Sequence, residues 1–165
     1  MSIRIGHGYD LHRLVEGRAL MLGGVCVDSP RGLLGHSDGD VVLHAVCDAI
    51  LGALAIGDIG LHFPDSDERF RGVASSELIR HIAGLMRDER WKVGNLDITV
   101  CAEQPRLAPY RLAMRSRIAE LLGVPVTCVS IKAKTNEGVD AIGHGEAIAA
   151  TAVVLLEGAE ATKST

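Results

Sequence analysis

The sequence predicts an α/β fold, a sheet with helices packed on it. Segments with the strand period of two alternate along the chain with segments of helical period, as expected when helices cover a sheet. The 165 residues are enough for one domain with a substantial core. Apolar residues make up 47% of the chain but aromatic residues only 3%, so we expect an aliphatic core.

The N-terminal part of the chain predicts strands followed by a helix. The opening SIRIGHGYDLH alternates apolar and polar residues, which predicts a strand that runs into a turn. ALMLGGVCV predicts a short second strand or a hairpin around its two glycines. From Ser37 the period becomes helical, and Ser37 with Asp40 three residues later resembles a capping box. We therefore expect a helix that begins near Ser37.

The middle of the chain predicts a loop and then a second helix. GDIGLHFPDSDERFRG is rich in Gly, Asp and Pro, and loops of this length are often functional. The second helix is predicted from Ser75 or Ser76 to about Arg90, because its apolar residues recur on one face.

The C-terminal part predicts a strand, a helix and two further strands. LDITVCA alternates as a strand, and residues 109–122 have helical period with a glycine directly after them. CVSIKAK alternates again, and the apolar EAIAATAVVLLE is typical of a central strand. We assign residues 1–158 to a single domain and residues 159–165 to a polar C-terminal tail.

Composition and charge argue against several classes of function. The formal net charge of −4 and the scarcity of aromatic residues do not favour a nucleic-acid partner. The four cysteines are far apart without a CxxC pair, so we expect reduced thiols and neither a zinc ribbon nor a redox dithiol. The N-terminus has no signal-peptide pattern, and no apolar run is long enough to span a bilayer. We expect a cytoplasmic protein without a membrane partner.

One carboxylate and two imidazoles form a candidate metal site. Residues two apart in a strand point the same way, so Asp10 and His12 project together. His44 lies on the predicted first helix, in a stripe of polar residues that includes Ser37 and Asp48. Three such ligands make a plausible zinc site with one coordination position open. On spacing alone, solvated or capping side chains are an equally good explanation.

Three further polar clusters each have a functional and a structural explanation. HSDGD places His36 and Ser37 at a helix N-terminus, where anion binding and ordinary capping are equally expected. AEQPRLAP could surround a ligand with backbone amides and Arg106, although a strand-to-helix turn explains it better. KAKTNEG could hold phosphates and a hard cation, and a solvated strand end is an equal alternative. Because the net charge is negative, a polyanionic substrate would need local metal ions and lysines.

Four motifs together resemble one enzyme family. GHGYDLHRL, LLGHSDGDVVLHAVCDAILGAL, GDIGLHFPDSD and IKAKTNEG, in this order and spacing, resemble the 2-C-methyl-D-erythritol 2,4-cyclodiphosphate synthases of the non-mevalonate isoprenoid pathway. The resemblance covers about residues 3–156. It implies that the 2-phosphate of 4-diphosphocytidyl-2-C-methyl-D-erythritol 2-phosphate attacks the β-phosphorus, which closes the cyclodiphosphate and expels CMP. It also implies a two-layer α+β sandwich, in which a mixed sheet has helices packed on one face. The subunits are expected to form a homotrimer with each active site between neighbours.

The same resemblance implies two metal ions. Asp10, His12 and His44 match the zinc ligands of the family, with one zinc per subunit and an open position for the β-phosphate. Glu137 matches the ligand of a second divalent ion, Mg or Mn, which bridges the α- and β-phosphates.

The resemblance further implies how the substrate is held. His36 and Thr135 match the residues that stabilise the transition state by hydrogen bonds to phosphate oxygens. Residues 58–60 match the methylerythritol-binding turn, and residues 102–108 match the cytidine pocket. The full set of matched substrate-binding positions is Asp10, Leu11, His12, His36, Ser37, Asp58, Ile59, Gly60, Phe63, Pro64, Asp65, Ser66, Asp67, Ala102, Glu103, Gln104, Pro105, Arg106, Leu107, Ala108, Lys134, Thr135, Asn136 and Glu137.

One segment departs from the family pattern. After TNEG the family continues with an aromatic residue and then GRGE, whereas this chain has Ala141 and His144 at the aromatic and arginine positions. The resemblance implies that the arginine faces a central cavity and binds an isoprenoid phosphate there. Histidine is mostly neutral at pH 7 and lacks the bidentate fork of arginine. We expect normal catalysis with weak or absent ligand binding in that cavity.

Two other functions stay open on the sequence alone. A zinc-dependent phosphohydrolase would use water and release a nucleoside monophosphate with a linear bisphosphate. A non-catalytic, zinc-stabilised trimeric binding module would unfold on metal removal without any turnover to lose.

Overall fold

The protein is built on a five-stranded mixed sheet. Its computed structural model describes residues 2–64, 66–70 and 72–158. The strands in chain order are β1 (Ile3–Glu16), β2 (Leu20–Leu22), β3 (Val25–Val27), β4 (Arg31–Leu33), β5 (Trp91–Cys101), β6 (Val129–Lys134) and β7 (Ala147–Gly158). β2 and β3 pair as a separate hairpin, as predicted, and the others form the sheet in the order β4-β1-β7-β5-β6. Among the strand pairs that the described residues form in this sheet, only β5–β6 is parallel. The apolar C-terminal segment is the central strand, as predicted.

Three long helices cover this sheet. The helices in the described residues are α1 (Val41–Leu54), α2 (Ile59–His62), α3 (Ser75–Asp88), α4 (Arg111–Leu122) and α5 (Asp140–Gly143). α1 packs on β1 and β7, α4 packs on β6, and α3 contacts both other long helices. α4 ends at Gly123, whose φ of 71° is the left-handed conformation that glycine adopts at helix ends. The prediction of a mixed sheet with helices packed on it is confirmed.

The core is aliphatic, as the composition predicted. Its largest fully buried side chains are Leu20, Leu22, Leu33, Leu43, Ile50, Leu51, Ile79, Ile82, Met86, Leu96, Ile98 and Met114. They come from α1, α3, α4, the hairpin, β4 and β5, so the core fills the space between the sheet and its helices.

β1 is longer than predicted. The expected turn after His12 is absent, because Leu14, Val15 and Glu16 pair with the short antiparallel strand β4. Asp10 and His12 therefore lie within the strand and not at its end.

The predicted start of α1 was wrong. The helix begins at Val41, and Asp40 is its N-cap, with a carboxylate that accepts hydrogen bonds from two first-turn N–H groups at 3.1 Å. No capping box forms from Ser37, whose hydroxyl accepts the N–H of Gly39 instead. His36 and Ser37 precede the cap in an irregular segment and are not part of the first turn of α1.

The predicted loop after α1 contains two short helical segments. α2 forms because the Asp58 carboxylate accepts the Leu61 N–H at 2.8 Å, and the Asp48 carboxylate accepts the Ile59 N–H at 2.7 Å. A 3-10 turn follows at Glu68–Phe70. Two predictions from the sequence, Asp65 as a site residue and 159–165 as a tail, lie outside the described residues.

No helix in the described part of the chain combines the length and the apolar composition needed to cross a membrane.

Candidate active site

The face of β1 that is turned toward α1 carries glycine at two successive inward positions and metal-ligand side chains at the next two. A Cβ built at Gly6 or Gly8 would lie 1.8 Å or 2.0 Å from carbonyl oxygens of α1. The helix backbone approaches the strand so closely that only glycine fits at these positions. Asp10 and His12 follow on the same face and therefore lie beside the first turns of α1.

His44 of α1 completes a three-residue cluster with these two side chains. Asp10 Oδ2 lies 2.9 Å from His44 Nδ1 and 3.3 Å from His12 Nδ1. The two imidazole rings are 5.3 Å apart with an interplanar angle of 63°. One ligand atom from each residue lies within 4.8 Å of the others. Two imidazoles and a carboxylate at this spacing fit a transition-metal ion and leave room for a further ligand, so the structure brings together the three predicted metal ligands.

The charge state of Asp10 suits cation binding. Burial by itself would raise the pKa of Asp10, but close contacts and charge interactions with His12 and His44 hold this pKa well below its usual range. The pKa of His12 is raised, because the contact with Asp10 outweighs the opposing effect of burial. Asp10 is therefore an ionised carboxylate at neutral pH, which is the form that a cation binds.

Two hydroxyl groups hold the far side of the His44 ring. His44 Nε2 lies 2.9 Å from Ser75 Oγ and 3.1 Å from Ser37 Oγ. Ser75 is fully buried at the start of α3 and donates its hydroxyl proton to Asp38 Oδ1. Sequence reasoning missed Ser75 and Asp38, because no spacing pattern links residues that only tertiary structure brings together.

A cleft of about 480 Å³ opens at the cluster. Phe70 and Leu78 contribute apolar walls that were not predicted. The predicted site residues that line this first cleft are Asp10, His12, His36, Ser37, His44, Ile59, Gly60, Phe63 and Pro64.

Within residues 10–67, four described residues of the predicted substrate set do not line the first cleft. Leu11 points to the opposite face of the sheet, and the Asp58 carboxylate caps α2. Asp67 forms an ion pair with Arg69 at 2.6 Å, and Ser66 lies in the adjoining turn.

A second cleft of about 320 Å³ contains most of the remaining predicted residues. Beyond β6, Thr135 Oγ1 donates to Glu137 Oε1 at 3.2 Å, and Asn136 Nδ2 donates to Asp140 Oδ2 at 2.9 Å. Glu137 and Asp140 both have positive φ, a conformation that costs free energy for non-glycine residues and is common at functional sites. The lining residues are Ala102, Glu103, Gln104, Pro105, Arg106, Leu107, Ala108, Ala133, Lys134 and Thr135.

The two clefts share no lining residue. His36 lines the first and Thr135 the second, although the sequence predicted that both act on the same phosphates. Ala141 and His144 line neither cleft and are exposed on and just after α5. A single chain thus carries the two halves of the predicted site apart from each other.

Comparison with known proteins decides the family. A sequence model of the YgbB family matches residues 3–157. The chain belongs to the YgbB family. A YgbB relative from Trichlorobacter lovleyi, named 2-C-methyl-D-erythritol 2,4-cyclodiphosphate synthase, is 55% identical over 154 residues, which are 93% of this chain and 98% of the relative. The resemblance predicted from the four motifs is confirmed.

Solved structures agree with this YgbB assignment. The bifunctional IspDF of Campylobacter jejuni superposes with a TM-score of 0.92 and 39% identity over 96% of this chain, which spans 43% of that protein. A 2C-methyl-D-erythritol-2,4-cyclodiphosphate synthase in its CDP-bound form has a TM-score of 0.86 and 41% identity, covering 93% of this chain and 100% of that one.

Proposed function

We propose that this chain converts 4-diphosphocytidyl-2-C-methyl-D-erythritol 2-phosphate to 2-C-methyl-D-erythritol 2,4-cyclodiphosphate and CMP. The observation that carries this proposal is the Asp10, His12 and His44 cluster at a cleft of about 480 Å³. The name of the relative that is 55% identical supports it. An intramolecular phosphoryl transfer requires in-line positioning and charge stabilisation more than covalent participation of the protein, and the cleft offers groups suited to both.

We assign zinc to the three-residue cluster and a second divalent ion, Mg or Mn, to Glu137. Nitrogen and carboxylate donors in a set of three are typical of catalytic zinc, whereas an exposed carboxylate suits a hard cation that also binds phosphates. When bound, these ions supply Lewis-acid stabilisation of the charge on the phosphoryl oxygens.

The side chains around the two clefts would position the substrate. The exposed imidazole of His36 and the hydroxyls of Ser37 and Thr135 can donate hydrogen bonds to phosphate oxygens. Ile59 and Gly60 would hold the methylerythritol part. Backbone groups of residues 102–108 would hold the cytidine, a role consistent with the CDP bound to the similar synthase.

A homotrimer would unite the two clefts. The outer face of the sheet exposes five large apolar side chains, each between 43% and 68% accessible: Ile3, Ile5, Tyr9, Leu11 and Val153. An exposed apolar row of this size on a sheet favours contact with another protein surface. We propose that copies of the chain cover these faces in a closed ring, so that the first cleft of one subunit faces the second cleft of its neighbour.

The four cysteines are free thiols, and reduced thiols are typical of the cytoplasm, where we propose that the protein acts.

The product identifies the reaction. Phosphorus NMR of the protein with the cytidine-diphosphate substrate and Mg is expected to show CMP and the two coupled signals of a cyclodiphosphate. A zinc-selective chelator should abolish both, and added zinc should restore them. A linear bisphosphate with CMP would instead indicate the phosphohydrolase. Metal-dependent folding without any turnover would indicate the binding module.

The departure at His144 predicts weak binding of an isoprenoid diphosphate in the central cavity of the proposed trimer. Arginine would add charge-assisted hydrogen bonds that a neutral imidazole does not, so His144→Arg is expected to tighten binding about tenfold or more. Isothermal titration calorimetry of both proteins measures the difference. Tight, specific binding by the unaltered chain would contradict the prediction.

A further inference from the structure

The hydrogen bonds behind His44 determine which of its ring nitrogens carries the proton. Ser75 Oγ contacts three groups: His44 Nε2 at 2.9 Å, Asp38 Oδ1 and, at the longer distance of 3.3 Å, the hydroxyl of Ser37, which can donate to it. An ionised carboxylate can only accept hydrogen bonds, so Ser75 donates its single hydroxyl proton to Asp38. Ser75 Oγ is then an acceptor toward His44. The Nε2 atom of His44 must therefore supply the proton of that hydrogen bond.

This proton assignment leaves a lone pair on the opposite nitrogen of the ring. A neutral imidazole with its proton on Nε2 has none on Nδ1. His44 Nδ1 lies 2.9 Å from Asp10 Oδ2, which is also an acceptor. Two acceptors at this distance repel each other unless a cation lies close to both. The tautomer set by Ser75 is thus the one that a metal ion at the cluster requires.

We propose that Ser75 and Asp38 are positioning residues of the metal site, which hold His44 in the tautomer that leaves Nδ1 free for zinc. This inference rests on the proposed function, because it takes the three-residue cluster to be a zinc site. Neither residue lines the first cleft, so they act through His44 and not on the substrate. Ser75 is fully buried, which keeps water from replacing its hydroxyl.

A purely structural role for this pair makes a different prediction. Asp38 Oδ2 also accepts the backbone N–H of Ser75 at 3.2 Å and so contributes a cap at the start of α3. Ser75→Ala keeps that backbone hydrogen bond and removes only the hydroxyl. If Asp38 and Ser75 only cap α3, the zinc affinity of Ser75→Ala should therefore equal that of the unaltered chain.

The test is the zinc dissociation constant of the full chain, measured by competition with a chromophoric chelator and without substrate. Ser75→Ala is expected to raise the Kd for zinc about 10- to 100-fold, the range usual for loss of a group that orients a metal ligand. Ser75→Thr keeps the hydroxyl and is expected to retain most of the affinity. Ser76→Ala, one residue further along the same helix, is the matched control and should bind zinc as the unaltered chain does.

Two results would overturn the inference. One is a Kd for zinc that Ser75→Ala leaves unchanged. The other is an equal loss of zinc affinity in Ser75→Ala and Ser75→Thr, which would mean that the packing of the side chain matters and its hydroxyl does not. If circular dichroism shows that Ser75→Ala does not fold, the zinc dissociation constant of Asp38→Asn is measured instead. An asparagine amide can donate to Ser75 Oγ and free the serine proton for His44 Nε2, so weaker zinc binding supports the inference and unchanged binding refutes it. A chain that binds zinc in this Ser75-dependent manner but forms no cyclic product would refute only the proposed function.

Discussion

Two inactive variants of this chain, Asp10→Ala and Thr135→Ala, are expected to regain activity when they are produced together. Asp10→Ala removes a metal ligand at the first cleft, and Thr135→Ala removes a hydrogen-bond donor at the second. Loss of one such donor typically lowers kcat by about 10²- to 10³-fold, so each variant alone should be nearly inactive.

Recovery follows from the separation of the two clefts. In the proposed ring, a site is intact where a Thr135→Ala subunit supplies the first cleft and an Asp10→Ala subunit supplies the second. In random assembly from equal amounts, this holds for about a quarter of the interfaces. Co-expression of differently tagged chains, tandem purification and a CMP-release assay measure the recovered activity.

A matched pair of variants provides the control. Asp10→Ala and His44→Ala both damage the first cleft, so their co-expression should recover nothing. If Asp10→Ala and Thr135→Ala also recover nothing while both chains co-purify, each active site is formed by a single chain.

Gly8→Ala is expected to destabilise the protein strongly and to weaken its metal site. The added methyl group would lie 2.0 Å from the Ala45 carbonyl oxygen, an obstacle that belongs to helix backbone and cannot rotate away. Extra volume in a packed interior lowers the free energy of unfolding by up to about 3 kcal/mol. Because the obstacle here is helix backbone, we expect a loss near the upper end of that range. For a chain of this size, that corresponds to a melting temperature lower by about 6–12 °C. Because His44 adjoins Ala45, zinc affinity should fall as well.

Gly84→Ala is the control for this substitution. Gly84 lies within α3, and a Cβ there would meet nothing within 4 Å. Alanine favours a helix over glycine by up to about 1 kcal/mol, so the melting temperature should be equal or slightly higher. The melting temperatures of the unaltered chain, Gly8→Ala and Gly84→Ala are measured by thermal unfolding at equal protein concentration. Equal melting temperatures for Gly8→Ala and Gly84→Ala would show that α1 can move away from β1 at little cost.

Local sequence patterns predicted the parts of the fold that local physics decides. The strands and long helices follow from apolar periodicity, and the end of α4 follows from Gly123. The start of α1 was wrong because Ser37 and Asp40 are both good N-cap residues. Contacts distant in sequence favour Asp40, whose carboxylate also accepts N–H groups of the β2–β3 turn at 2.8 Å and 2.6 Å.

Local sequence patterns also predicted the part of the candidate site that lies on single elements. The strand period placed Asp10 beside His12, and the helical stripe singled out His44. Ser75 escaped prediction because it reaches His44 from a different helix. The motifs by themselves did not predict that the two clefts are separate, since motif order along a chain says nothing about which subunit supplies which half. Only the family resemblance implied a site between subunits.

The alternation of β1 has a consequence for how its length can change during evolution. Residues 6, 8, 10 and 12 face α1, whereas residues 3, 5, 9 and 11 are exposed on the other side. Because successive strand residues point to opposite faces, deletion of one residue between Gly8 and Asp10 would turn both ligands outward. Insertions and deletions inside this strand are therefore compatible with the metal cluster only in steps of two residues.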